Sequence, residues 1–493
     1  MPEPIHSENQ FKILLQNSSW YFVSSLLTKA SGLLLMPIMT RYLSPDDYGL
    51  VANLRAIITF SSVFVSLYID SAFNRFYFEN NQSQERLKVY VSSFFWFVVL
   101  WGSLATLLLL IIGRVYLTKL YSIQFFPLAL LTGISPLLIQ IRLFGHHYLR
   151  NNLHTKGIAI PSLLVFFLNV GLSILFMSLL EDNVQGRFYG IFASTVAATL
   201  YYTYVLIRAS LIGFQLDKRI IRDALKFSLP LVPLALSSWI TRLSDRIIIT
   251  FYSDMGEAGL YDVAYKLSEG IRVFTESVFQ VYSPVMVSMY IHNRSQFNIK
   301  VGKFTTFFTW VMFFAAFYIS VFSKELLSIF ASRAYHSAHI MIPIVVFAYF
   351  ISGHQKYLGA VFSLRKVTYL NTIGSFLQAG LNLGLSLVLI PIAGKVGAAW
   401  ATFASLTFMT IWSGFWFLKW EAVRFEWGKI LKILLIGCLA LVSYLLVVRS
   451  FSYRPATMIL LKALFTAPIA IGLSLAWDVI RFDQLRSVFS DEN

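Results

Sequence analysis

The sequence predicts an all-α, polytopic membrane protein with about fourteen transmembrane helices: two six-helix lobes related by a pseudo-twofold along the membrane normal, plus two extra helices. Three observations predict it. Of 493 residues, 57% are apolar and only 13% are charged, against roughly 25% charged in an average soluble domain. The apolar residues fall in blocks of about 20, the length that about 30 Å of hydrocarbon demands of a helix rising about 1.5 Å per residue. The chain also repeats itself at one nearly constant spacing.

In chain order, the spans are expected at 17–42, 49–74, 90–112, 121–146, 157–180, 187–208, 227–252, 259–286, 304–323, 338–362, 369–392, 396–418, 430–448 and 457–478. The first block follows mostly polar residues, lacks a small-residue cleavage site and runs into a second block. It therefore reads as a retained helix, not a signal peptide. The one cysteine, Cys438, falls mid-helix, where a lone thiol reads as buried packing and implies no internal disulfide and no metal cluster.

Orientation follows from the basic residues. The connections of one set hold 22 Lys and Arg and those of the alternate set hold 8. Short cytoplasmic loops retain positive charge, so both termini are expected in the cytoplasm. The formal net charge of +16 is read as this signal and as attraction to anionic membrane lipid. Nucleic acid is not an expected partner, because the basic residues are scattered over separate loops. The outer connections are too short to fold into a catalytic domain.

The repeat sets the domain organisation. Leu168-Asn169-Val170-Gly171-Leu172-Ser173 recurs 213 residues later as Leu381-Asn382-Leu383-Gly384-Leu385-Ser386. Gly49-Leu50, before the second span, is matched 210 residues later by Gly259-Leu260. Gly190-Ile191-Phe192-Ala193-Ser194 in the sixth span is paired with Gly397-Ala398-Ala399-Trp400-Ala401-Thr402 in the twelfth. The expected division is an N-terminal lobe 1–212, a cytoplasmic linker 213–226, a C-terminal lobe 227–420, and a segment 421–493 with the last two helices and the tail. Six helices per lobe, an even number, make both lobes enter the membrane in one direction, hence the axis along the normal.

Charges within the spans carry the functional reading, because each costs about 2.5–3.5 kcal/mol at a helix centre and persists only where it faces protein or water. On the eighth span, Lys266, Glu269, Arg272 and Glu276, with Asp262 and Gln280, fall within an arc of about 120°, opposite Leu267, Ile271, Phe274, Val278 and Val281. The second span sets Arg55, Thr59, Ser62, Ser66 and Asp70 along one face. The seventh carries Arg242, Asp245 and Arg246, the first carries Lys29, and Lys356 follows His354 on the tenth. Lys29, Arg55, Arg242, Arg246, Lys266, Arg272 and Lys356 are the candidates for a cationic lumen. Asp70, Asp245, Glu269 and Glu276 are the candidates for coupling to an ion. Beside this stands a structural reading: Glu269 neutralising Lys266 or Arg272, and Asp245 pairing Arg242 or Arg246, as ion pairs that lock the bundle.

Three stretches carry a family resemblance. They are Pro37-Ile38-Met39-Thr40-Arg41-Tyr42-Leu43-Ser44-Pro45-Asp46-Asp47-Tyr48-Gly49, then Phe227-Ser228-Leu229-Pro230-Leu231-Val232-Pro233 running on to Ser244-Asp245-Arg246, and Gly397 to Thr402. Over about residues 12 to 420 the chain resembles the polysaccharide-transport branch of the multidrug/oligosaccharidyl-lipid/polysaccharide (MOP) exporter superfamily. The resemblance implies a Wzx-type flippase of the bacterial inner membrane, working by alternating access on undecaprenyl-pyrophosphate-linked oligosaccharide for O-antigen, capsule or other lipopolysaccharide and polysaccharide assembly. It implies a cationic central cavity, no cofactor beyond a coupling proton or sodium ion, and a polysaccharide polymerase and chain-length regulator as protein partners. A pyrophosphate crossing a low-dielectric core needs fixed positive partners, which fits the charges above. At an offset of 210, however, Arg55 meets Tyr265 and Asp70 meets Gln280, so the halves do not share a duplicated site.

Three other readings are weighed. A multidrug exporter of the same superfamily would present a carboxylate-dominated cavity, whereas cations outnumber acids here. A lipid II flippase would handle the same pyrophosphate chemistry. An integral-membrane glycosyltransferase would need a metal-binding pair such as Asp46-Asp47, but Ser44-Pro45-Asp46-Asp47 reads as turn and helix-cap chemistry.

Overall fold

A computed structural model describes residues 32–121, 125–450, 468 and 472–477, and among these residues the regular structure is helical throughout. The elements are α1 (32–42), α2 (Pro45–Ser66), α3 (Ile69–Asn80), α4 (Gln84–Leu120), α5 (Leu130–Asn151), α6 (Thr155–Leu179), α7 (Asn183–Arg208), α8 (Lys218–Ser228), α9 (Val232–Tyr252), α10 (Met255–His292), α11 (Arg294–Val321), α12 (Ser323–Phe330), α13 (Ile342–Leu364), α14 (Thr368–Trp420) and α15 (Trp427–Ser450). The second to thirteenth expected spans each coincide with helix. Lys29 and most of the last span lie outside the described residues.

Eight described helices are long and apolar enough to cross a membrane by hydropathy alone, and a ninth if Arg333–Ile340 and Ile342–Leu364, bent by 54°, form one broken span. The first and last expected spans lie largely outside the described residues, and others escape a hydropathy count. α10 carries an ionic face and is less apolar than its neighbours, and α14 is two spans joined at Gly394, whose φ of 53° breaks the helix between 392 and 396. Two details depart from expectation. The second span is not one helix: Leu67 and Tyr68 both take left-handed conformations (φ 48° and 58°), so Asp70 opens the separate helix α3 and does not continue the face that carries Arg55. Cys438 is exposed on α15 and is not packed inside the protein.

The chain divides into two compact units, 1–259 and 260–493. Within the first, alternate connections gather at one end. Arg150 donates to the Asn74 side chain (2.8 Å), Gln84 to the Ala209 carbonyl (3.1 Å), Ser92 to the Leu211 carbonyl (2.9 Å) and Trp96 to the Gly213 carbonyl (2.7 Å). At the far end of α2, Asn183 donates to the Tyr42 carbonyl (2.9 Å), and Ser44 and Asp47 form a reciprocal capping box, the role expected for this acidic turn. There Gly49 and Gly259, paired by the repeat, stand face to face, and a methyl group on either would overlap backbone of the other helix. In the second unit, buried Glu421 at the end of α14 receives Arg294 (3.0 Å) and Arg365 (3.0 Å) from the two preceding connections of the same basic set.

Candidate functional site

The ionic face of α10 neutralises itself. Lys266 pairs with Asp262 one turn back at 2.7 Å, with side chains 17% and 9% exposed. Arg272 bridges Glu269 and Glu276, the latter at 2.7 Å. These are i,i+3 and i,i+4 contacts on one helix, and Glu269 takes Arg272 as its partner while Lys266 takes Asp262. Five charges thus sum to a formal minus one. Neighbouring aromatics fix the surroundings: the Tyr265 and Tyr349 rings lie 5.6 Å apart, and the Tyr261 hydroxyl sits 3.2 Å from the Thr402 hydroxyl. His354 is held by Thr309 (2.9 Å) and by the Phe350 carbonyl (3.1 Å), while Lys356 is exposed and makes no ion pair among the described residues.

The first unit holds cations of a different kind. α2 and α9 pack side by side: Asn53 donates to the Thr250 hydroxyl (2.8 Å), Trp239 donates to the Ala56 carbonyl (2.9 Å), and the Trp239 ring meets Phe60 at 4.8 Å. Exposed Arg55 therefore lies next to the Trp239 contact. Exposed Arg242 follows Trp239 by three residues on α9 and bonds only its own helix, through the Ser238 carbonyl (3.2 Å). Asp245 and Arg246 are fully buried, and Arg246 donates to the Arg242 carbonyl. Asp70, in the first turn of α3, is half-buried.

A further cation, Arg187, is one that the sequence pattern does not single out. It is 6% exposed near the start of α7 and donates to the Asn169 side-chain oxygen (3.0 Å) and to the Ser173 hydroxyl, both neutral. The Arg55 guanidinium is close enough to act on it electrostatically. Arg55, Arg187 and Arg242 have no carboxylate partner among the described residues. In the sequence Arg187 falls among the loop charges, because the apolar run starts there. The signal that could have found it is the Asp182-Asn183 start, since Asp182 accepts from Gln185 (3.0 Å) and sets the helix a full turn earlier.

The helical fold is shared with solved structures of membrane transporters. The chain is similar to "Lipid II flippase MurJ, inward closed conformation" at 18% identity and a TM-score of 0.73, over 94% of this chain and 99% of that one. It is similar to an inward-facing multidrug resistance MATE family transporter of the MOP superfamily at 14% identity and a TM-score of 0.59, over 80% and 94%. It is also similar to a point mutant of the Vibrio cholerae MATE transporter VcmN at 14% identity and a TM-score of 0.57, over 83% and 96%. These are structures of flippases and transporters, not enzymes. No curated protein matched the sequence. Residues 14–290, more than half of the chain, match the family described as "Polysaccharide biosynthesis protein", and the chain belongs to that family.

Proposed function

We propose that this protein flips undecaprenyl-pyrophosphate-linked oligosaccharide repeat units from the cytoplasmic to the outer leaflet of the bacterial inner membrane. It does so by alternating access of two six-helix lobes, 1–212 and 227–420. The observation that carries the reading is the set Arg55, Arg187 and Arg242, three guanidiniums within residues 1–259 that have no carboxylate partner among the described residues. Unneutralised charge inside a membrane protein is costly, and an anionic ligand is the natural complement. Guanidinium forks match phosphate oxygens in a bidentate way, so a pyrophosphate headgroup fits them better than an organic cation would. Membership of a polysaccharide-biosynthesis family supports a sugar cargo. On α10 the same cargo competes with Glu269 and Glu276 for Arg272 and with Asp262 for Lys266. Binding then frees a carboxylate to take up a proton or sodium ion, with Asp70 and Asp245 as the other coupling candidates.

A second reading, lipid II as cargo, is favoured by the similarity to the MurJ structure. One experiment tests both. Surface glycan is measured in a flippase-null strain carrying wild type, Arg55→Gln, Arg242→Gln or Glu269→Gln at matched membrane levels, and the wild type is separately asked to support growth on depletion of the host's lipid II flippase. Glycan export should fall about tenfold or more in each Arg variant, as loss of one charged hydrogen-bonding partner of about 1.5–3 kcal/mol implies. Full export in both Arg variants sinks the anion site. Rescue of growth without glycan export moves the cargo to lipid II.

A further inference from the structure

We propose that α8, the short helix that follows α7, carries a binding site for an anionic phospholipid of the membrane leaflet at its own end of the protein. The sequence Lys218-Arg219-Ile220-Ile221-Arg222-Asp223-Ala224-Leu225-Lys226-Phe227-Ser228 separates three surfaces. Ile221, Ala224 and Ser228 are buried and anchor the helix in the core formed with α3 and α4, which includes Phe73, Leu87 and Tyr90. Lys218, Arg219, Arg222 and Lys226 project from an exposed flank. Between these two faces runs an open groove of about 450 Å³ lined by Leu216, Ile221, Leu225 and Leu229 on one side and by Lys218, Arg222 and Lys226 on the other. A spacing of four residues within each set puts the three cations on one edge of the groove and Ile221, Leu225 and Leu229 on its floor.

Charge and polarity select the occupant. The floor is apolar and the rim is cationic, the profile of an acyl chain below a phosphate. The rim is scarcely neutralised from within: Asp217 is spent as the N-cap of the helix, accepting from the Arg219 amide at 2.7 Å, and Asp223 approaches only Lys226, at 3.7 Å. Lys218, Arg219 and Arg222 have no ion-pair partner among the described residues. Around the groove the surface is unusually apolar for a loop. Phe214 is 96% exposed and stacks on Trp96 at 5.5 Å, and Leu216, Phe227 and Leu229 are also exposed. A basic amphipathic helix with exposed aromatic and aliphatic flanks lies in the headgroup layer, not in water. A free phosphate would use the rim and leave the floor empty, so the site commits to a diacyl anionic lipid. This inference does not depend on the cargo proposed above.

Phosphatidylglycerol is the probe. Purified full-length protein in detergent micelles is titrated with phosphatidylglycerol and, separately, with phosphatidylcholine, and retained lipid is counted by native mass spectrometry. The variants are K218Q/R222Q/K226Q, the charge-conserving K218R/K226R, and a control, K156Q/R208Q/K366Q, which removes as many loop cations elsewhere. Phosphatidylglycerol retention should weaken about tenfold or more in the first, since each surface cation near an anionic lipid contributes about fivefold. It should stay at the wild-type level in the other two, and a monodisperse elution profile establishes that each is folded. The proposal is overturned by equal loss in the control triple, by equal retention of phosphatidylcholine, or by displacement of the lipid with inorganic phosphate at the same concentration.

Discussion

The helix pair α6 and α7 and the two halves of α14 are built on one plan, and they differ by one buried charge. In the first pair, Asn169 donates to the Ser194 hydroxyl at 2.8 Å; in the second, Asn382 donates to the Ser405 hydroxyl at 3.3 Å. Gly186 packs on the backbone of Phe176 and Met177, and Gly397 on that of Leu389 and Ile390. The matched glycines are thus Gly186 and Gly397, 211 residues apart, and not Gly190 and Gly397 as the local sequence likeness suggested. One position after each glycine the pairs diverge. Arg187 fills the first pair and donates to Asn169, whereas the second has Ala398, and the Asn382 side-chain oxygen is left buried without a partner among the described residues. Duplication kept the packing and placed the cation in one copy only. Packing at small residues holds helices together in a membrane, while a buried charge is costly unless it meets a protein partner, water or a ligand.

The largest effect expected from this comparison lies in the shared packing. Gly397→Ala places a methyl group into the Leu389 carbonyl, and backbone cannot yield as a side chain can. It should destabilise the protein by about 3 kcal/mol or more, and Gly186→Ala, where the nearest backbone nitrogen is 2.7 Å away, by about 1–3 kcal/mol. Thermal unfolding of the purified variants in one detergent checks both values. Alanine tolerated without loss of stability at either site would mean that its helix pair is not closely packed at that glycine.

Next in size is Arg187→Ala, which copies Ala398 into the first pair. The Asn169 oxygen then becomes unpartnered as that of Asn382 already is, so stability should fall by about 1–3 kcal/mol. Glycan export, if Arg187 serves the anion, should fall about tenfold, more than that stability loss explains at matched membrane levels. Export that simply follows the amount of folded protein would make Arg187 a structural residue.

Much of this was legible in the sequence, and for reasons that also mark where legibility ends. Helix lengths and positions follow from apolar blocks matched to the hydrocarbon thickness, and the ion pairs of α10 follow from three- and four-residue spacing. The break at Leu67 and Tyr68 was hidden because neither glycine nor proline marks it; tertiary packing holds two ordinary residues in left-handed conformations. The exposure of Cys438 was equally hidden, since in lipid an outward face is as apolar as an inward one. Of the candidate site, Arg55 and Arg242 stand out from their helical faces. Arg187 does not, because charge at the edge of an apolar run looks like a loop.

The smallest effect separates the two asparagines themselves. Asn169 serves both helices: its amide nitrogen donates to Ser194, and its oxygen accepts from the buried guanidinium of Arg187. Asn169→Leu removes an acceptor from a buried charge, and bonds to charged groups are worth about 1.5–3 kcal/mol. Asn382 has only the longer bond to Ser405 to lose, and leucine there also removes the unpartnered oxygen, so the two contributions nearly cancel. Asn382→Leu should therefore shift stability by less than about 1 kcal/mol, leaving a gap of about 1–2 kcal/mol between the variants in parallel melts. A double variant, Asn169→Leu with Arg187→Ala, sharpens the reading, because removing both partners should cost less than the sum of the single losses. If Asn382→Leu proves as costly as Asn169→Leu, the second pair holds a partner for its oxygen, and the asymmetry that places the cation in the first unit alone is gone.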